Sequence, residues 1–226
     1  MGRRADIVVD MARYNRKDHL HQKAKKDGLR SRAAYKLEEV QKTSKLLKKG
    51  ARVFDLGCWP GGWLEVAAGL VGPSGRVVGV DRAEVDPVIP LGQVTAIVGD
   101  LEDADIAARL REGLGSPRAD VVLSDAAPKL TGIRETDRAN VERLLEAIET
   151  LLPELLAQGG SLLIKILEGP EAALVDRRIR KTFDSAKAVK LKSTRKGSTE
   201  RYLIARGYRG SVAETPSEQG PSTEPG

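Results

Sequence analysis

Apolar residues run along this chain in short blocks separated by glycine, proline or charge, and the blocks change period. Brief, nearly continuous apolar runs predict strands near residues 52–56, 76–80, 94–98, 121–124, 161–165, 187–192 and 201–206. Runs this short, bounded by turn residues, fit strands buried on both faces. Between them apolar residues recur at helical spacing, which predicts helices near 61–70, 103–114, 136–157 and 171–182. A further helix is expected from Ser31 to about Thr43, where Ala33, Ala34, Leu37 and Val40 share one face. Gln158-Gly159-Gly160 reads as a helix stop that turns the chain into the next strand. Strand and helix in alternation predict an α/β fold whose mostly parallel sheet is covered on both faces. No internal repeat is visible.

The ends differ from this middle. Residues 1–28 are polar, basic and weakly periodic, and are expected to form a loosely docked arm. Residues 29–209 make the domain proper. Residues 210–226 are rich in Pro, Gly, Ser and Glu with no apolar period, so a disordered acidic tail is expected. A length of 226 residues suits one domain with appendages.

Charge sharpens the picture. Residues 1–49 carry a net +9, residues 50–176 a net −10 and residues 177–209 a net +10. Two basic segments thus flank an acidic core, and if folding joins them they form one patch suited to a phosphate backbone. Candidate phosphate contacts are Lys23, Lys25, Lys26, Arg30, Arg32, Arg195 and Lys196. Solvated Lys/Arg faces are the plainer reading of the same pattern. Aromatics are scarce in the first segment, which disfavours a stacking platform for loose single strands. A single cysteine, Cys58, rules out an internal disulfide framework, and with only His19 and His21 beside it a structural zinc site is not expected. No stretch is long and apolar enough to span a bilayer, and no secretory signal is visible, so a cytoplasmic protein is expected.

The chemistry concentrates in residues 53–63, VFDLGCWPGGW. An apolar strand enters Asp55, then Gly57, Pro60, Gly61 and Gly62, and a helical pattern follows. Strand, glycine turn and helix is how an α/β sheet brings its backbone against a nucleotide-like ligand. A second apolar run ends in Asp81, twenty-four residues beyond Gly57, where a carboxylate can accept hydrogen bonds from ribose hydroxyls. The spacing G-x-x-P-G-G differs from the dinucleotide fingerprint and looks like the first loop of S-adenosylmethionine-dependent methyltransferases. Later strand ends carry Asp100, Asp125 (in LSDAAP) and Lys165 (in LLIKILEG). Ligands of open α/β sheets sit at these carboxyl ends. A lysine ending an apolar strand is costly if buried and unpaired, so Lys165 is either a snorkelling structural residue or a chemical one.

Six segments, GLRSRAAYKLEEV, VFDLGCWPGGW, VGVDRAEVDP, VLSDAAPKLTG, LLIKILEG and STRKGSTERY, follow the order found in FtsJ/RrmJ-type ribose 2′-O-methyltransferases. The chain resembles that family over about residues 12–208, above all the bacterial enzyme of large-subunit ribosomal RNA. The resemblance implies a Rossmann-like class I methyltransferase with a seven-stranded sheet, S-adenosylmethionine as cofactor and no metal. It implies a catalytic tetrad of Lys36, Asp125, Lys165 and Glu200, and cofactor contacts at Gly61, Trp63, Asp81, Asp100 and Asp125. It also implies a ribosomal RNA partner, the large subunit, and a monomer. Two departures stand out: Cys58-Trp59 replaces the usual small pair before Pro-Gly-Gly, and the Asp81–Asp100 link is longer than in the bacterial enzyme.

Physical chemistry supports such a tetrad. Methyl transfer to a 2′-hydroxyl is an in-line displacement that needs an oxygen losing its proton. Lysine is a poor base at its reference pKa of about 10.4, but desolvation and a neighbouring cation lower it. Lys165 is the expected base, Lys36 the cation, and Asp125 and Glu200 the groups that hold both in line. Other readings are a transfer RNA methyltransferase, a small-molecule O-methyltransferase and a binding module with a relic cofactor site. The small-molecule reading leaves the basic flanks without a use, and the intact tetrad disfavours the relic.

Overall fold

A computed structural model describes residues 23–210 apart from Lys25, Leu130 and Lys196. Most of the expected basic arm, the acidic tail beyond Gly210, and the phosphate-contact candidates Lys25 and Lys196 therefore lie outside the described residues. The first described residues already form a helical turn, with Leu29 N–H donating to Ala24 O at 2.8 Å and Ala24 buried.

Helix α1 (Ala34–Ser44) leads into strand β1 (Arg52–Leu56), followed by α2 (Gly62–Val71), β2 (Arg76–Asp81) and β3 (Val94–Val98). Then come α3 (Ile106–Leu114), β4 (Ala119–Ser124), α4 (Arg134–Leu155) and β5 (Leu156–Leu167). Helix α5 (Pro170–Thr182), β6 (Phe183–Val189) and β7 (Glu200–Tyr208) close the domain. The strands form one seven-stranded sheet in the order β3-β2-β1-β4-β5-β7-β6. β7 runs antiparallel to β5 and β6, and the remaining pairs are parallel. The chain steps from β1 outward to β3 and returns to the other side of β1 with β4, so the crevice for a ligand opens above the β1/β4 pair.

Both sheet faces are covered, as the apolar runs require. On one face Leu110, Ile148, Leu155 and Val175 from α3, α4 and α5 pack on Phe54, Val122 and Leu162. On the other, Leu37 and Val40 of α1 and Leu64 and Ala68 of α2 pack on Val53, Val77 and Leu163. Alternation along each central strand feeds the two cores in turn.

All seven strands overlap the apolar runs that predict them, β1 and β3 with both ends as expected, and the starts of β5 and β6 shift most. β5 begins at Leu156, which pairs with Ala119; the register then slips before Val121 pairs with Ser161. Helix α4 ends at Leu155 and β5 follows at once from Leu156, so Gln158-Gly159-Gly160 is not the expected helix stop but lies inside β5, with Gly159 (φ +75°) in this irregularity. β6 begins at Phe183 and not at residue 187, because antiparallel pairing with β7 from Phe183↔Tyr208 to Val189↔Tyr202 sets its extent. The stretch FDSAKAV is too polar for periodicity to reveal this.

Candidate active site

Two turns meet at the carboxyl ends of β1 and β4. Gly57 has φ +84°, and a Cβ there would stand 2.5 Å from the Ala126 Cβ. Only glycine therefore lets the Asp125-Ala126 turn close down on the β1 turn. The buried Ser124 hydroxyl donates to Leu56 O at 2.8 Å, which ties the two strand ends together and aims Asp125.

Asp125 stands between two lysines. Its Oδ2 is 3.5 Å from Lys36 Nζ and its Oδ1 is 3.2 Å from Lys165 Nζ, which also donates to the Asp125 main-chain oxygen. Lys36 Nζ is 2.8 Å from Glu200 Oε1. The four expected tetrad residues are thus one ionic cluster. The lysine side chains keep only 6% and 9% of their surface in solvent, so their charges depend on these carboxylates.

Local structure explains the arrangement. Lys165 pairs with Tyr202 across β5 and β7, and Leu167 with Glu200. Lys165, Tyr202 and Glu200 therefore project on the same face, the one covered by α1. Lys36 comes down from α1 with its ammonium 5.4 Å from the centre of the Tyr202 ring.

Tyr202 is a fifth member that periodicity gave no reason to select. It is fully buried, and its hydroxyl lies 2.6 Å from Asp125 Oδ1 and 3.0 Å from Glu200 Oε1. Burial first, then the two neighbouring carboxylates, pushes its phenol far above the ordinary tyrosine value, so it stays a donor. The sequence shows it only as an aromatic in an apolar strand.

Glu39, one turn after Lys36, also escaped the sequence reading. Its Oε1 accepts from Lys192 N–H at 2.8 Å, and its Oε2 accepts from Ser193 N–H at 3.0 Å and the Ser193 hydroxyl at 2.9 Å. Burial raises its carboxyl, but these donors outweigh burial and hold it below the usual range. The Thr194 hydroxyl in turn donates to Glu200 at 3.2 Å. Lys192 and Ser193 are thereby clasped to α1 beside the tetrad.

Next to Asp125 opens a cavity of about 520 Å³ that also contains Gly57, Asp81, Gly99 and Asp100. Asp81, at the tip of β2, accepts from Trp59 N–H through Oδ2 and from Ala83 N–H through Oδ1, both at 3.0 Å. Each oxygen keeps a second lone pair for a ligand. Asp55 lies beneath, 1% exposed, with neither carboxylate oxygen hydrogen-bonded. Burial above all, and then the charges of Asp125 and Asp81, raises its carboxyl well above the usual range. Cys58 is buried, and its thiol is pushed up mainly by desolvation, which marks it as inert.

This donor set fits S-adenosylmethionine. A cavity of this size accommodates a nucleoside-sized ligand, Asp81 offers acceptors to a ribose, and the Asp81 and Asp125 carboxylates that line it suit a ligand bearing sulfonium and ammonium charges. Asp100 lines the same cavity but is already engaged: Arg82 Nε is 2.7 Å from its Oδ2 and Glu102 N–H donates to its Oδ1 at 3.1 Å. Gly61 and Trp63 do not line the cavity. The Trp63 indole is buried and donates to Ala33 O at 2.7 Å, fastening α2 to the segment before α1. What these two positions can offer a ligand is main chain at the start of α2.

The phosphate candidates separate as well. Arg30 is not poised for RNA: its Nε donates to Glu65 at 2.7 Å and its side chain is only 13% exposed. Lys23 stays exposed, beside Asp27 and the Tyr35 ring. Among the described residues no helix is long and apolar enough to cross a membrane.

Known proteins place this geometry. Ribosomal RNA large subunit methyltransferase E of Methanothermobacter thermautotrophicus is 42% identical over 195 residues, covering 86% of this chain and 92% of that protein. The protein of the same name from Acidithiobacillus ferrooxidans is 40% identical over 207 residues, covering 92% and 93%. A Plasmodium falciparum crystal structure assigned as a ribosomal RNA methyltransferase superposes with a TM-score of 0.69 at 27% identity, over 80% of this chain and all of that one. The fold alone is shared with Aeropyrum pernix fibrillarin, whose crystal structure holds S-adenosylmethionine, at TM-score 0.54 and 16% identity over 71% of this chain and 68% of that one. The domain is thus a Rossmann-like class I methyltransferase fold, and residues 29–208 match the FtsJ-like methyltransferase family, to which this chain belongs.

Proposed function

We propose that this chain transfers a methyl group from S-adenosylmethionine to the ribose 2′-hydroxyl of a uridine in large-subunit (23S) ribosomal RNA, on the assembled subunit. The observation that carries the reading is the double membership of Asp125. It lines the cofactor cavity and also holds Lys36 and Lys165. Bound S-adenosylmethionine supplies a methyl activated by its sulfonium and leaves as S-adenosylhomocysteine. The chain's own residues prepare the acceptor. Lys165 Nζ, acting as the neutral amine after its own ammonium proton has gone to solvent, takes the 2′-hydroxyl proton as the oxygen–carbon bond forms. Asp125 orients that amine through Oδ1, and Tyr202 fixes Asp125 in turn. Glu200 holds Lys36, whose charge favours the developing oxyanion. Most of the gain then comes from positioning within a largely buried cluster.

An RNA substrate is supported by the clasp between Glu39 and Ser193, which brings the two basic segments to the rim where Lys36 and Glu200 meet. The relatives named above supply the ribosomal assignment. One chain holds the whole tetrad, which supports a monomer, and a ribosomal substrate supports a cytoplasmic enzyme. Incubation with tritiated S-adenosylmethionine and, in parallel, isolated large subunits, free ribosomal RNA and bulk transfer RNA tests the reading. Label should enter the subunit. Label confined to transfer RNA or to a small molecule would overturn the ribosomal assignment. The basic rim should also make RNA affinity fall steeply with salt.

A further inference from the structure

Trp59 is the one feature of the cofactor loop that the tetrad and the ribose acceptor leave unexplained. It is 58% exposed, the largest apolar side chain left in solvent among the described residues. Its place is nevertheless fixed. The preceding Cys58 is buried, and the Trp59 N–H donates to Asp81 Oδ2 at 3.0 Å. Trp59 therefore stands at the lip of the cavity, beside the carboxylate positioned for a ribose, and is one of the residues that line it. Around the same space Val80, Leu101, Leu144 and Ala147 supply apolar surface. The polar edge is made by two ion pairs, Arg82 with Asp100 and Arg143 with Glu102. A flat apolar ring beside a ribose acceptor, within a cavity with apolar walls, matches the chemistry of a nucleoside, whose base is bonded directly to the sugar.

From this placement we infer that Trp59 is a cofactor-binding residue that stacks on the adenine of the bound nucleoside and shields it from water. The inference rests on the cofactor reading above and deepens it. The ligand face is the purine, so the effect belongs to any adenosine carrying a ribose that Asp81 can hold. Stacking of an aromatic side chain on a base, judged by alanine substitution, corresponds to roughly a 5- to 150-fold change in affinity. The exposed setting places Trp59 near the lower part of that range, about tenfold.

Tryptophan fluorescence reads the contact without turnover. The chain has two tryptophans, and Trp63 is buried against the segment before α1. Titration of the full chain with S-adenosylhomocysteine should quench or shift the emission, and Trp59→Phe should remove that change while keeping calorimetric affinity within about threefold. Trp59→Leu keeps apolar bulk without a flat ring and should bind about tenfold more weakly, as should Trp59→Ala. Unchanged affinity in the Leu and Ala variants would overturn the inference, as would a full fluorescence change in Trp59→Phe. So would emission that responds to an RNA oligonucleotide and not to S-adenosylhomocysteine, since the indole would then stack on substrate. If the unaltered chain fails to bind S-adenosylhomocysteine by calorimetry, the cofactor reading itself falls, an outcome distinct from the others.

Discussion

Asp81→Asn is the most informative small change in the cofactor site, because it preserves shape and removes charge. Both carboxylate oxygens already accept a main-chain N–H, from Trp59 and Ala83, at 3.0 Å. An asparagine must place its NH2 group against one of these donors, whichever way the amide turns. That leaves a main-chain donor unsatisfied, at about 1–3 kcal/mol if it is desolvated. The remaining oxygen can still serve one ribose hydroxyl, so one charge-assisted bond is lost on binding, worth about 1.5–3 kcal/mol. Affinity should therefore fall by roughly one to two orders of magnitude. Asp81→Ala loses both ribose acceptors and should fall further. Calorimetry with S-adenosylhomocysteine measures the difference, with thermal melts to confirm that each variant is folded. A dissociation constant within twofold of the original in a folded Asp81→Ala variant would refute the ribose assignment and move the cofactor elsewhere.

Lys165→Ala should abolish methyl transfer while leaving S-adenosylhomocysteine affinity within a few fold, and Lys165→Arg should fail too, because guanidinium does not give up its proton in proteins; robust turnover by the Arg variant would leave Lys165 only an electrostatic role. Tyr202→Phe removes the hydroxyl between Asp125 and Glu200. It should lower the melting temperature by a few degrees, given about 1–3 kcal/mol for a lost buried donor, and should reduce kcat more than it raises KM. Asp55→Asn tests the buried, unpartnered carboxyl. A folded carboxyl raised above its unfolded value contributes stability at low pH that is lost as pH rises towards the folded value. The Asn variant should therefore melt at the same temperature as the original below about pH 4 and increasingly above it as pH rises. A shift independent of pH would show that Asp55 carries no titration penalty.

Much of this was legible in the sequence, and the parts that were not share a cause. The strands, the acids at their tips and Lys165 are visible because burial on two faces makes apolar runs, and charged residues interrupt those runs at the strand ends. Tyr202 is invisible because its polar role exists only once β7 runs antiparallel to β5 and sets it opposite Lys165. Glu39 looks like part of a solvated helix face until the loop carrying Ser193, far along the chain, folds onto it. Arg30 misleads in the opposite direction, since a basic residue in a basic segment turns inward to Glu65. Trp63 belongs to the expected loop, yet its indole serves packing, while Trp59, four residues earlier and before the helix begins, lines the cavity. Side-chain direction at a turn depends on backbone geometry that periodicity does not encode.

The central claim, a methyl group placed on a ribose 2′-oxygen of large-subunit RNA, is tested most directly in cells lacking this protein. Mass spectrometry of nuclease digests of ribosomal and transfer RNA should show one 2′-O-methyluridine missing from the large-subunit RNA. Restoring the original gene should bring it back, and restoring the Lys165→Ala variant should not. An intact set of large-subunit modifications, with a methyl lost from transfer RNA, would contradict the account.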